Sequence, residues 1–284
     1  PPTSSRRQRQ MCIRDRFAYS GLNQSSGNPL DSTANFGTLD IIKSLEWVNK
    51  NISHFNGDPN NVTIFGESAG ARNVISLMSS PLSENLFERG ISQSGYLGSD
   101  TLEYAENNDR AGSISLLKHL KKSKNLEISD QELSDFINDK SSSTNFLRSA
   151  SANDIISYYR PRNDSGGLID VPNVIPDGIV IPMKGIYGVY RDGDMHDKPM
   201  IFGSTRDEDK LFMFVNDDFV ERPLSILSPI SEYFELYVKP KDPKFYDAYG
   251  KYMAESWKYG AVDLPSKFTS TNKNSNLYAY RFAW

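Results

Sequence analysis

Apolar positions along this chain switch between two periods. Ile41, Ile42, Leu45, Val48 and Ile52 fall on one stripe at helical spacing, which predicts a helix from Phe36. The turn-rich stretch 54–61, HFNGDPNN, should end it. Residues 62–65, VTIF, are a β-branched and aromatic run of the kind found in buried strands. Val74, Ile75, Leu77 and Met78 then predict a second helix, stopped near Pro81. Residues 90–93 form a weak strand signal, and 199–204 and 277–282 two more. Between them, 101–160 is helical in pattern and strongly charged, with loops expected at 123–129 and 141–144. Residues 172–182 carry three prolines and read as irregular, and 210–260 alternates helical patterns with proline breaks. The Ser-, Asn- and Gly-rich stretch 20–35 reads as a loop. Helices alternating with short apolar strands predict an α/β fold with a mostly parallel sheet.

One motif carries chemistry. Gly66-Glu67-Ser68-Ala69-Gly70 is G-x-S-x-G, placed between the strand at 62–65 and the helix that follows. A serine on such a tight strand-to-helix turn is exposed for nucleophilic attack, and small flanking residues let the backbone close around it. The helix start aims free N–H groups at the reacting centre, so the Ala69 N–H is a candidate oxyanion donor. A hydroxyl is a weak nucleophile at neutral pH, so Ser68 needs a base, and the base an acid to orient it.

The stretch 54–95, HFNGDPNNVTIFGESAGARNVISLMSSPLSENLFERGISQSG, resembles the type-B carboxylesterases, the cholinesterase-like group of α/β-hydrolases. Upstream, ANFGTLDIIKSLEWVNKNI resembles the family's N-[FY]-G-x-x-D helix. Downstream, Ile175-Pro176-Asp177-Gly178 and Gly203-Ser204-Thr205-Arg206-Asp207-Glu208 resemble two later landmarks. The resemblance implies an α/β-hydrolase fold and hydrolysis of a small carboxylic ester through an acyl-enzyme. It implies no metal and no organic cofactor. It makes Ser68 the nucleophile, Glu208 the triad acid and Glu67 a pocket-lining residue. Asp207 is the rival acid. Two positions depart from the family pattern. Asn56 stands where Gly or Arg is usual, and Asp209 where Gly is usual, beside the acid.

The histidine does not fit. The triad order in this fold is Ser, acid, His, yet His54, His119 and His196 all precede Glu208. None is expected to be the base. The end of the chain resembles the strand before the family's histidine segment, and the family's glycine-rich oxyanion loop has no counterpart upstream. The expectation is therefore a fragment, an incomplete α/β-hydrolase domain over 17–284, inactive as written. A catalytically dead adhesion or scaffold relative, or a pseudogene product, is the alternative.

Composition changes this picture mainly by exclusion. The chain has 284 residues and a formal charge of −4, so it lacks the basic footprint of a nucleic-acid binder. No apolar run approaches a membrane span. Cys12 is the single cysteine, which leaves no internal disulfide and no multi-cysteine zinc site. Nothing in the sequence fixes an oligomeric state. Residues 1–16, PPTSSRRQRQMCIRDR, hold five arginines and one acid, with no apolar run after them. The string MCIRD matches an in-frame translation of a sequencing-library adaptor, so 1–16 is expected to be non-native. Without it the formal charge is −8.

Overall fold

The computed structural model describes residues 29–124, 128–159, 172–221 and 238–283. The adaptor-like segment 1–16, the start of the expected domain and much of the predicted loop at 20–35 lie outside these residues.

Four parallel strands form the central sheet: β1 (Thr63–Glu67), β2 (Arg89–Gln93), β3 (Met200–Thr205) and a last strand, Leu277–Phe282. They lie in that order, with Gly66 opposite Ser92, Gln93 opposite Gly203 and Ser204 opposite Arg281. All four strand signals in the sequence correspond to real strands. A short antiparallel pair, β4 (Val220–Glu221) and β5 (Lys239–Pro240), stands apart, so the last strand is β6.

Helix α1 (Phe36–Asn51) carries the predicted stripe and passes into a 3-10 turn at Ile52–Phe55. Asn56 closes that turn at φ +61°. This left-handed position favours Gly, and Asn is among the few side chains that tolerate it, which accounts for the first departure from the family pattern. Helix α2 (Ala69–Ser79) follows the G-x-S-x-G turn directly. Its apolar face, Val74, Ile75, Leu77 and Met78, is buried against Ile64, Met200 and Phe202 of the sheet.

After β2, and before the proline-rich segment, the described residues include five helices: α3 (Leu102–Asn107), α4 (Ser113–Lys124), α5 (Asp130–Asn138), α6 (Lys140–Ser149) and α7 (Ala152–Tyr158). Helices α4 to α7 share a second core of Leu116, Leu117, Leu120, Leu147, Tyr158 and Tyr159, while Ala105 of α3 packs with Ala34 and Ile175. The loop expected at 141–144 is helical instead. Asp139 Oδ1 accepts the backbone N–H groups of Ser141 and Ser142, both at 3.1 Å. A serine run is unfavourable inside a helix but well suited to a capped first turn. Of the loop expected at 123–129, Ser123 and Lys124 end α4 and 125–127 lie outside the described residues.

The proline-rich segment is irregular, as expected, but tightly fastened. Asp177 Oδ1 accepts backbone N–H bonds from Ile179 (2.9 Å), Val180 (2.7 Å) and Ile181 (3.0 Å), and its Oδ2 accepts from Asn35 Nδ2 (2.7 Å). Asn35 in turn clasps Ile175, through its carbonyl (2.7 Å) and its N–H (2.9 Å). The two landmarks Asn35 and Asp177 thus hold each other 142 residues apart in sequence. Helix α8 (Gly185–Asp192) adds Ile186, Val189 and Tyr190 to the main core. After β3 come α9 (Lys210–Val215), α10 (Pro243–Lys258), a π-turn at Tyr259–Asp263 and α11 (Leu264–Asn272).

Among the described residues the sheet is buried on one face only. On the opposite face Phe65 is 74% exposed and Tyr278 60%. Parallel sheets are ordinarily covered on both faces, so the exposure of Phe65 and Tyr278 on this face is unusual.

Candidate active site

Three loops leave the carboxyl ends of adjacent strands and meet, the usual location of ligand sites in open α/β sheets. Ser68 stands between β1 and α2, Ser94 ends β2, and Glu208 follows β3.

Ser68 adopts φ +53° and ψ −113°, a conformation costing about 1–3 kcal/mol for a residue with a side chain. Its N–H donates to the Gln93 carbonyl at 2.8 Å, and its carbonyl accepts from the Arg72 N–H at 3.1 Å. The turn is therefore locked to β2 on one side and to α2 on the other. A Cβ on Gly66 would lie 2.3 Å from the Gly70 carbonyl carbon, so only glycine fits there. Gly70 differs from the expectation for both flanks: among the described residues nothing lies within 4 Å of a Cβ added to it. The close backbone approach is one-sided, with Gly66 as the residue that must stay bare. Ala69 opens α2, so its N–H has no intrahelical acceptor.

Glu208 is half-buried and held from one side. Its Oε1 accepts the Thr205 N–H at 2.7 Å and the Ser94 hydroxyl in a short hydrogen bond. Its Oε2 accepts nothing among the described residues. Asp207, the rival, turns away from Ser94 into surface ion pairs with Arg206 (2.8 Å) and Lys210 (3.2 Å). The Arg206 hydrogen bond, with Lys210 adding to it, holds its carboxyl below the usual Asp range. Glu67 is largely exposed, yet partial burial and then the charge of Glu208 push its carboxyl up.

The sequence reading missed Ser94. It is buried, 5% exposed, and sits at φ +57°, a second strained serine beside the first. Its N–H donates to Gly203 at 2.7 Å, and its carbonyl accepts Trp257 Nε1 at 3.3 Å. The available signal was a polar residue at the carboxyl end of the neighbouring strand, in Ser92-Gln93-Ser94-Gly95.

None of the three histidines approaches this cluster. His54 is exposed near Asn51, His119 packs at a tilt against Tyr158 in the helical subdomain, and His196 Nε2 contacts the Ser80 carbonyl at 2.8 Å beside Phe87. Burial pushes the His196 ring down, against the opposing effect of that carbonyl. Among the described residues no group of three His, Cys, Asp or Glu side chains could hold a metal ion. No described helix is long and apolar enough to cross a membrane.

Asp209, the second departure, is only 8% exposed, and its Oδ2 has no hydrogen-bond partner. Burial, then the charge of Glu208, push its carboxyl up. A buried unpaired carboxylate destabilises the fold above the ordinary Asp pKa, and the penalty disappears as both folded and unfolded states become protonated. Asp209→Ala should therefore stabilise the chain by about 1–3 kcal/mol at neutral pH. That gain should shrink as pH falls through the raised folded value and be largely gone below the ordinary Asp value of 3.8. Urea melts across that range read it directly.

The profile of the Carboxylesterase family matches residues 25–242. The chain belongs to that family. It is 29% identical over 266 residues to the para-nitrobenzyl esterase of Bacillus subtilis (strain 168), covering 88% of this chain and 47% of the relative. Over 64 residues it is 56% identical to liver carboxylesterase 1 of Oryctolagus cuniculus, 22% of this chain and 11% of that one. Among solved structures, a PNB esterase superposes with a TM-score of 0.61 at 23% identity, covering 93% of this chain and 53% of the other. A Geobacillus stearothermophilus carboxylesterase gives 0.61 at 22% identity, covering 95% and 53%. The fold is thus that of the α/β-hydrolase esterases, and this carboxylesterase-family chain spans about half the length of the Bacillus relative.

Proposed function

We propose that residues 17–284 are part of a serine carboxylesterase domain and contain its nucleophile and triad acid. The observation that carries this reading is Glu208: Oε1 is fixed by Ser94 and Thr205 while Oε2 accepts nothing among the described residues, and the strained Ser68 turn is bonded to Gln93, the neighbour of Ser94. In the whole protein a histidine bonded to Oε2 would take the Ser68 proton as the hydroxyl attacks a carboxylic ester carbonyl. The Ala69 N–H would receive the oxyanion, the alcohol would leave, and water would release the acid from the acyl-serine. Glu67, with its raised carboxyl, would line the pocket.

The 284-residue chain is proposed to be inactive by itself, since His54, His119 and His196 all lie elsewhere. Loss of a triad member costs several orders of magnitude in turnover. With a p-nitrophenyl ester, the chain and its Ser68→Ala variant should hydrolyse at the same background rate. Ser68-dependent turnover without any added base would overturn the proposed inactivity.

A further inference from the structure

Arg72 lies one helical turn after Ser68 on α2. Residues four apart share a helix face, and side chains lean toward the helix start, so Arg72 leans toward the Ser68 turn. Its guanidinium sits over the Tyr96 ring, 4.9 Å from the centroid. A single nitrogen, Nη1, makes its hydrogen bonds, to Tyr96 Oη (2.6 Å) and to Asn173 Oδ1 (2.5 Å). Tyr96 Oη also donates to Asn173 Oδ1 at 2.9 Å.

This support is itself held from behind. Asp100 accepts the Asn173 N–H (2.6 Å) and its Nδ2 (3.2 Å), so the nearby carboxylate orients Asn173 rather than pairing with the arginine. Tyr96 meets Trp257 edge-on at 6.2 Å, and Trp257 hydrogen-bonds the carbonyl of Ser94, which holds Glu208. Arg72 therefore belongs to the same packed cluster as the candidate triad acid. Its charge has no carboxylate partner, and its Nε–Nη2 edge makes no hydrogen bond among the described residues. The raised carboxyls of the site, Glu67 and Asp209, respond to burial and to Glu208, not to Arg72.

An arginine positioned through one nitrogen, with the adjacent edge open, matches the two oxygens of a carboxylate. We propose that Arg72 is a specificity-determining residue that selects esters carrying a free carboxylate, such as hemi-esters of short dicarboxylic acids. The inference rests on the proposed role of Ser68, since it assumes that the ester carbonyl is held there.

Calorimetric titration of the full chain with monomethyl succinate and with dimethyl succinate tests it without requiring turnover. Failure here therefore stays distinct from failure of the Ser68 assignment, which is read by covalent chemistry. The monoester should bind about tenfold more tightly than the neutral diester, one good charge-assisted pair's worth. Arg72→Gln should abolish the preference and Arg72→Lys keep part of it. In the unaltered chain, raising salt from about 50 mM to about 0.5 M should shrink the preference. This last arm requires no variant to fold. Equal binding of the two esters, no binding of the monoester, a preference insensitive to salt, or one that survives in a folded Arg72→Gln variant overturns the proposal.

Discussion

Replacing Asp177 by alanine should cost roughly 4–6 kcal/mol, enough to unfold much of the chain at room temperature. The side chain accepts four hydrogen bonds, three of them from successive backbone N–H groups of Ile179, Val180 and Ile181. Val180 and Ile181 are fully buried in the main core, so their N–H groups have no water to turn to. Each buried donor left unsatisfied costs about 1–3 kcal/mol. Asn35 loses its Oδ2 partner as well and with it part of the clasp on Ile175. A total near the top of the range for single substitutions follows, against a whole-domain stability of about 5–15 kcal/mol. Asp177→Asn keeps an acceptor oxygen for the three N–H groups and should cost only about 1–2 kcal/mol. Urea unfolding of the two variants side by side measures the difference.

Gly66→Ala should be nearly as damaging, by steric rather than polar means. The added methyl would stand 2.3 Å from Gly70 C, 2.4 Å from Gly70 O and 2.9 Å from Ala71 N, all backbone atoms of the α2 start. Main chain cannot swing aside as a flexible side chain does. The helix start must move by about 1 Å, at a cost near or above the usual 1–3 kcal/mol of overpacking. The displacement also carries Ser68 and the Ala69 N–H with it, so reactivity at Ser68 should fall even in molecules that remain folded. Gly70→Ala is the control: its Cβ meets nothing among the described residues, and alanine is a better helix former by up to about 1 kcal/mol. Thermal melts should show Gly66→Ala strongly lowered and Gly70→Ala unchanged or raised.

The contrast between these glycines shows how much of the site the sequence carried. G-x-S-x-G between a strand signal and a helix signal was enough to locate the turn, because the pattern reflects a local backbone requirement. It was not enough to say which glycine is obligatory, because that depends on how α2 sits against β1. The candidate triad acid was legible as either Asp207 or Glu208 in one charged loop, and of the two only Glu208 is hydrogen-bonded to Ser94. Ser94 offered only its place at the carboxyl end of a strand as a signal, since its contact with Glu208 depends on the β2–β3 register. The same holds for Arg72, whose partners Tyr96 and Asn173 come from two distant segments. The helical turn over 141–144 is illegible for a local reason: a run of serines reads as loop until Asp139 is recognised as its cap.

The one-sided sheet and the absence of a histidine near Glu208 bear on the same question, which is whether this cluster is chemically competent once a base is supplied. Imidazole in solution can stand in for a histidine ring, provided the Ser68 turn and Glu208 are arranged as described. The most direct measurement is therefore phosphonylation of the chain by a fluorophosphonate, with and without about 0.1 M imidazole, followed by mass-spectrometric mapping of the modified residue. The expected result is imidazole-dependent modification confined to Ser68 and absent from the Ser68→Ala variant. Modification at other residues, or equal labelling of the variant, would contradict the assignment of Ser68 as the nucleophile.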